Sequence, residues 1–146
     1  MTRANALPAP LTARPATDAD ADLFRTLRAS VPEASQPSEA AHAAWWAWAA
    51  ERRWVAEAGG APVGVLRLGA DGTVSIVLAP GARGRGWGAA LLRWLAGEAR
   101  AAGVPRLRAE IAPGNAASRR AFLAAGYALT DRDRGPGRRV VAERAP

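Results

Sequence analysis

The sequence predicts an α/β domain of the mixed α+β kind, with a mainly antiparallel central sheet flanked by helices. Three observations carry that expectation. Strand-like runs follow one another directly across Gly59-Gly60 and Asp71-Gly72, both tight-turn pairs. Ala- and Leu-rich helical runs lie on either side of them, with no internal repeat and no regular β–α alternation. The length of 146 residues, 49% of them hydrophobic, suits one domain with a real core, spanning 1–146 with residues 1–9 expected to be disordered.

The elements follow in the order βααβββαβαββ. Leu11 to Arg14 reads as a first strand. Thr17 is a helix cap, with Asp18, Asp20 and Asp22 loading a first turn that runs on to about Ala29. Val31 to Pro37 is a Pro-interrupted loop, and Ser38 starts a second helix ending near Arg52. Trp54–Ala58, Val63–Leu68 and Thr73–Leu78 form an antiparallel meander. Trp87 to Ala102 has helical spacing and stops at Gly103; Leu107–Ile111 is a strand. A helix begins near Asn115 and ends at Gly126, and Tyr127–Thr130 and Arg139–Ala142 close a hairpin around Gly135-Pro136-Gly137.

Composition excludes several classes. No apolar run is long enough for a membrane span, and the N-terminus lacks an apolar signal core, so a cytoplasmic protein away from the membrane is expected. Without cysteine there is no disulfide framework, thiol nucleophile or thiolate metal site, and no metal is expected. The net charge of +7 attracts anions. It concentrates between Arg83 and Arg108, where six arginines stand against the single acid Glu98. A nucleic-acid partner is not expected, because these arginines cluster around one loop instead of along one helix.

That loop, Leu78-Ala79-Pro80-Gly81-Ala82-Arg83-Gly84-Arg85-Gly86-Trp87-Gly88-Ala89, joins an apolar strand to a helix. Such a junction offers unpaired N–H groups and the positive end of a helix dipole, a place to hold a phosphate. A P-loop is excluded because Gly-Lys-Ser/Thr is missing. Gly84-x-Gly86-x-x-Ala89 fits a relaxed dinucleotide fingerprint, with Glu110 at nearly the right distance for a ribose. Only 36 residues remain after Glu110, however, too few to complete a doubly wound sheet.

A second run, Asn115-Ala116-Ala117-Ser118-Arg119-Arg120-Ala121-Phe122-Leu123-Ala124-Ala125-Gly126-Tyr127, opens with a residue that can cap the helix or turn its amide to a ligand. Together the two runs resemble the GNAT superfamily of acyl-CoA-dependent N-acyltransferases. Arg83-x-x-Gly86-x-Gly88 is similar to its pyrophosphate loop, and Asn115-x-x-Ser118-x-x-x-Phe122-x-x-x-Gly126-Tyr127 to its following helix. The element order is also that of the family, from Leu11 to about Ala142.

The resemblance implies acetyl-CoA as acyl donor and a small-molecule amine as acceptor, with a homodimer left open. The backbone of Ile76, Val77 and Leu78 would pair with the pantetheine arm where the fourth and fifth strands splay apart. Backbone N–H groups of Arg83, Gly84, Arg85, Gly86, Trp87, Gly88 and Ala89 would hold the pyrophosphate. Asn115, Ser118 and Phe122 would line the same channel. A main-chain N–H near Val77 or Leu78 would polarise the thioester oxygen.

Acylation needs a neutral amine, hence a base. Glu110 is the best candidate, against a salt bridge to a nearby arginine. His42, the one histidine, stands on the second helix as a candidate or as a surface residue; Tyr127 is a candidate acid or a packing residue. A tyrosine common in relatives is Phe122 here, and a common base position falls near Thr73; neither can serve. Trp45, Trp46 and Ser75 are candidates for the acceptor side. Trp45 and Trp48 share a helix face with Trp46 rotated off it, and core packing is the competing reading. The segment from Val74 to Pro80 is similar to acetyltransferases of amino-sugar nucleotides, so an amino sugar or another neutral or anionic amine fits the positive charge. Two alternatives stay open: a non-catalytic acyl-CoA sensor and a protein N-terminal or lysine acetyltransferase.

Overall fold

The computed structural model describes residues 6–30, 39–48, 51–111, 115–131 and 140–146. The elements come in the expected order: β1 (Leu11–Pro15), α1 (Ala21–Ala29), α2 (Glu39–Trp48), β2 (Glu51–Ala58), β3 (Ala61–Gly69), β4 (Val74–Leu78), α3 (Trp87–Ala101), β5 (Leu107–Ile111), α4 (Ala116–Ala124), β6 (Ala128–Asp131) and β7 (Val140–Arg144). Of residues 1–9, for which disorder was expected, 1–5 lie outside the described residues; Leu7 packs against the main core, and the Leu11 N–H donates to Pro8 O at 2.9 Å. The loop at 31–37, the Ser38 helix start and the turn at 135–137 lie outside the described residues.

Local chemistry shifts several boundaries. Thr17 does cap, but the first turn is a 3-10 turn over Asp18–Asp20 that leads into α1. Asp20 turns back to accept from the Thr17 N–H at 2.8 Å and from both Arg14 Nη groups at 2.8 and 2.9 Å. The larger correction is α2, which ends four residues short of the expected Arg52. Glu51, Arg52 and Arg53 belong to β2 and pair in register with Gly69, Leu68 and Arg67. The alanine-rich pattern continues helically in sequence, but the ladder of backbone bonds to β3 takes these residues.

The expected single sheet is divided. Strands pair antiparallel in the order β1-β2-β3-β4, and separately β5-β7-β6 with β7 in the middle. Between β4 and β5 the described strand pairing is one parallel bridge, Thr73 to Arg108, beside which the Arg108 N–H donates to Gly72 O at 2.9 Å. Gly72 makes this corner possible. Its φ is +90°, and a Cβ there would run into the Arg106 carbonyl. Beyond the corner each sheet keeps its own twist and the two strands part.

Apolar residues fill both faces. On one side α3 lays Leu91, Leu92, Leu95 and Ala99 against Trp54, Leu66, Leu68, Leu107 and Ala109. On the other, Phe24 and Leu27 of α1 cover Val55 and Val65, joined by Val77 and Trp46. Alternation along each strand decides which residue goes where.

Candidate active site

The site begins with the parity of β4. The Gly69 N–H donates to Thr73 O at 2.8 Å and the Ala79 N–H to Val63 O at 2.9 Å, so odd-numbered residues turn their peptide groups toward β3. Even-numbered Ile76 and Leu78 therefore turn theirs the other way, along the edge that parts from β5. Of the two N–H groups considered for polarising a thioester, that of Leu78 faces the gap and that of Val77 faces β3. The Leu78 carbonyl already accepts from Arg83 Nε at 3.3 Å, and Arg83 Nη2 donates to Ser30 Oγ at 3.3 Å.

The chain then turns through Pro80–Ala82 into the glycine loop. Gly84 and Gly86 both have φ +77°, and nothing lies within 4 Å of where a Cβ would stand on either. Gly86 ends in the left-handed conformation as the N-cap of α3, with no side chain capping it. The Ala90 N–H donates back to Gly86 O at 3.3 Å, so the N–H groups of Trp87, Gly88 and Ala89 precede the first bond of the helix. Gly88 has a different use. A Cβ on it would sit 3.4 Å from Ala121 Cβ and 3.6 Å from Leu78 Cδ1, so it lets α3, α4 and β4 close together.

Asn115 caps α4, its Oδ1 accepting from the Ser118 N–H at 3.0 Å; this leaves the Nδ2 donors. These elements enclose a cleft of about 600 Å³ lined by Ile76, Val77, Leu78, Arg83, Gly84, Gly86, Gly88, Ala89, Asn115, Ala117, Ser118, Arg120, Ala121 and Ala124. The structure thus brings together ten of the thirteen residues expected at the donor. Four were missed: Ala117, Ala121 and Ala124, whose small side chains at helical spacing leave room, and the exposed Arg120. Their spacing was visible in the sequence.

The side chains of the other three point elsewhere. The Arg85 guanidinium stands over the Trp87 ring at 5.1 Å, and Trp87 packs partly into the main core. Phe122 is buried, edge-on to Tyr127 with ring centroids 4.8 Å apart. The Tyr127 hydroxyl is buried with no hydrogen-bond partner among the described residues. Burial pushes its pKa up to about 12, against a small opposing pull from Arg144.

Candidate proton carriers fall outside the lining of this cleft. Glu110 is exposed on β5, its Oε2 3.5 Å from Arg108 Nη1. His42 is buried instead of lying on the surface, and its Nε2 stands 3.0 Å from Ala21 O. A carbonyl only accepts, so Nε2 carries the proton and ties α2 to the start of α1. Trp46 donates from Nε1 to Asp18 Oδ1 at 3.0 Å, meets Phe24 edge-on at 5.1 Å and carries Arg53 4.1 Å above its ring. The side chain of Trp45 lies outside the description. Ser75 is half-buried on the α1 side of β4, opposite Arg67 in register. Among the described residues no three His, Asp or Glu side chains gather as metal ligands, and no helix is long and apolar enough to cross a membrane.

A phosphate-ready helix end beside an open strand edge, within one fold of splayed sheets, suits a long phosphate-bearing ligand such as an acyl-CoA. Comparison with known proteins agrees. The family model described as Acetyltransferase (GNAT) family matches residues 21–127. Among solved structures, a GNAT superfamily phosphinothricin acetyltransferase from Sinorhizobium meliloti in complex with AcCoA is 27% identical at a TM-score of 0.75, covering 92% of this chain and 88% of that one. The yncA protein of Salmonella typhimurium, with its cofactor acetyl-CoA, is 23% identical at 0.72, covering 92% and 93%. A domain from Methanocaldococcus jannaschii is 17% identical at 0.78, covering 93% and 98%. Among curated proteins no significant match is found. The chain belongs to the acetyltransferase (GNAT) family. The family is one of acetyltransferases, and two of the neighbours were solved with acetyl-CoA; the amino-sugar-nucleotide subgroup finds no support in these comparisons.

Proposed function

We propose that this protein moves an acetyl group from acetyl-CoA to the primary amine of a small molecule, both bound at once and the amine attacking directly. The observation that carries the reading is the coincidence, in one cleft of about 600 Å³, of the free β4 edge and the uncapped start of α3. Acetyl-CoA supplies the activated thioester. The N–H groups of Trp87, Gly88 and Ala89 hold its pyrophosphate with the help of the helix dipole. Ile76 and Leu78 present peptide groups to the extended arm, and the Leu78 N–H is placed to stabilise negative charge on the carbonyl oxygen. Asn115 keeps α4 in place with Oδ1 and offers Nδ2 to the arm.

Proton transfer goes through water. The ionisable side chains lining the cleft are Arg83 and Arg120, and neither is a base near neutral pH. Positioning and carbonyl polarisation therefore carry the rate, and the amine must reach the site already neutral or lose its proton to solvent there.

That same poverty favours a second reading, a domain that binds acetyl-CoA without turnover, because Phe122 cannot donate a proton and is buried away from the cleft. Mass spectrometry of copurified acyl-CoA, followed by thiol release across an amine panel, tests both. Transfer to at least one amine supports the enzyme; tight acetyl-CoA binding with no release above hydrolysis supports the sensor. No binding at all overturns both.

A further inference from the structure

On the face of the first sheet covered by α1, three polar residues stand in one row across three strands. Arg53 of β2 is the register partner of Arg67 of β3, and Arg67 of Ser75 of β4. The row lies on the same side as Val55, Val65 and Val77, since residues two apart share a face. Cross-strand neighbours stand about 5 Å apart, so Arg67 begins one strand away from Ser75, which adjoins the free Ile76 edge.

The row is charged and half enclosed. Glu51 Oε1 receives Arg53 Nε and Arg67 Nη1, each at a long 3.4 Å, and the carboxylate side chain is only 13% exposed. Arg53 is fixed, with its guanidinium stacked on Trp46. Arg67 is the more reachable of the two, its side chain 25% exposed against 11%. Arg28 arrives from above, one helical turn after Phe24 on the side of α1 that faces the sheet. Burial pushes the Arg67 guanidinium below its usual value, Arg28 and Arg53 add to the push, and Glu51 opposes it. Gathering guanidiniums under a helix costs free energy, and an arriving oxyanion offsets that cost with paired, charge-assisted bonds.

We propose that the acceptor amine carries an oxyanionic group, a carboxylate or a phosphate, which Arg67 receives near Ser75 with Arg28 beside it, so that the amine reaches along β4 toward Leu78. This rests on the transfer reading above and names its substrate class. Arg67 sets specificity and takes no part in proton transfer.

The test uses matched amines: amino acids against their amides, aminoalkyl phosphates against amino alcohols, and amino-sugar phosphates against the free sugars. The best-turned-over amines should be anionic, and the pair type that separates most tells carboxylate from phosphate. Arg67→Gln should raise KM for the best anionic amine about 30-fold, the loss of a charge-assisted pair, while kcat stays within about three-fold. Its acetyl-CoA Kd by calorimetry should not move, and Arg67→Lys should recover part of the loss. If Arg67→Gln does not fold, Arg28→Gln carries the same expectation at about five-fold. Preference for neutral or cationic amines, or an unchanged KM in a folded variant, overturns the proposal alone. Acetyl-CoA binding with no turnover of any amine defeats the transfer reading, and this one with it.

Discussion

Replacing Gly86 by valine separates the two things that the glycine loop does. In the free protein the added Cβ meets no atom beyond the adjoining residues, because nothing else lies within 4 Å of its position. The fold is charged only for the backbone, which must hold a β-branched residue at φ +77° for about 1–3 kcal/mol. A domain of this size has about 5–15 kcal/mol of stability, so it stays folded, with a melting point lower by about 3–10 °C. The bound state suffers more. The side chain stands before the N–H groups of Trp87, Gly88 and Ala89, and each charge-assisted bond lost there is worth about 1.5–3 kcal/mol. Losing two weakens acetyl-CoA by at least about 100-fold. Titration calorimetry measures it, with Gly86→Ala as the control that shares the strain without most of the bulk and stays within about ten-fold. Acetyl-pantetheine, which has no pyrophosphate, should bind the valine variant and the parent alike. A folded Gly86→Val protein whose acetyl-CoA Kd lies within three-fold of the parent would refute the cradle.

Other expectations follow from single contacts. Asn115→Asp keeps the oxygen that caps α4 and adds a charge welcome at a helix start, so the melting point should hold while acetyl-CoA affinity falls about ten-fold; calorimetry and a thermal scan check both. Tyr127→Phe removes a hydroxyl with no partner among the described residues, so turnover should stay within two-fold and stability should hold or rise by about 1 kcal/mol. The folded protein keeps the Tyr127 proton to about pH 12 while the unfolded chain loses it near 10, so stability should fall between those values, and the Phe variant should lose that slope in alkaline melts. Asp20 behaves in the opposite sense. Arg14 holds its carboxyl down at about 2 against 3.8, so its contribution is whole above pH 4 and is lost as pH falls toward 2. Acid melts of Asp20→Asn should lack that component.

The proposed donor cleft was legible because it is written in backbone requirements. A glycine at positive φ, a helix start and an asparagine cap need particular residue types at fixed spacing, and Gly86, Trp87 and Asn115 stood where that spacing put them. The proposed acceptor side was legible only at Ser75, because the rest depends on which strands end up neighbours. Arg53, Arg67 and Ser75 are far apart in sequence and meet only through register. His42 shows the same limit: one histidine in an alanine-rich helix reads as surface, and only the packing of α2 on α1 buries it. The start of β2 was misplaced for a related reason, since Glu51 to Arg53 owe their extended form to β3. Phe122 was correctly seen as unable to donate a proton, yet its place against Tyr127 came from a helix rotation of one residue past Ala121.

The Gly72 corner works like the vertex of a pair of compasses. From it β4 runs for five residues, an arm of roughly 17 Å. A rotation of about four degrees at the vertex moves the far tip, beside Leu78, by roughly 1 Å, a shift of the size that misaligns reacting groups. The width of the gap is thus set by leverage, at a turn that touches neither substrate. A side chain at Gly72, pressed against the Arg106 carbonyl, would be felt at Leu78 across the length of the strand.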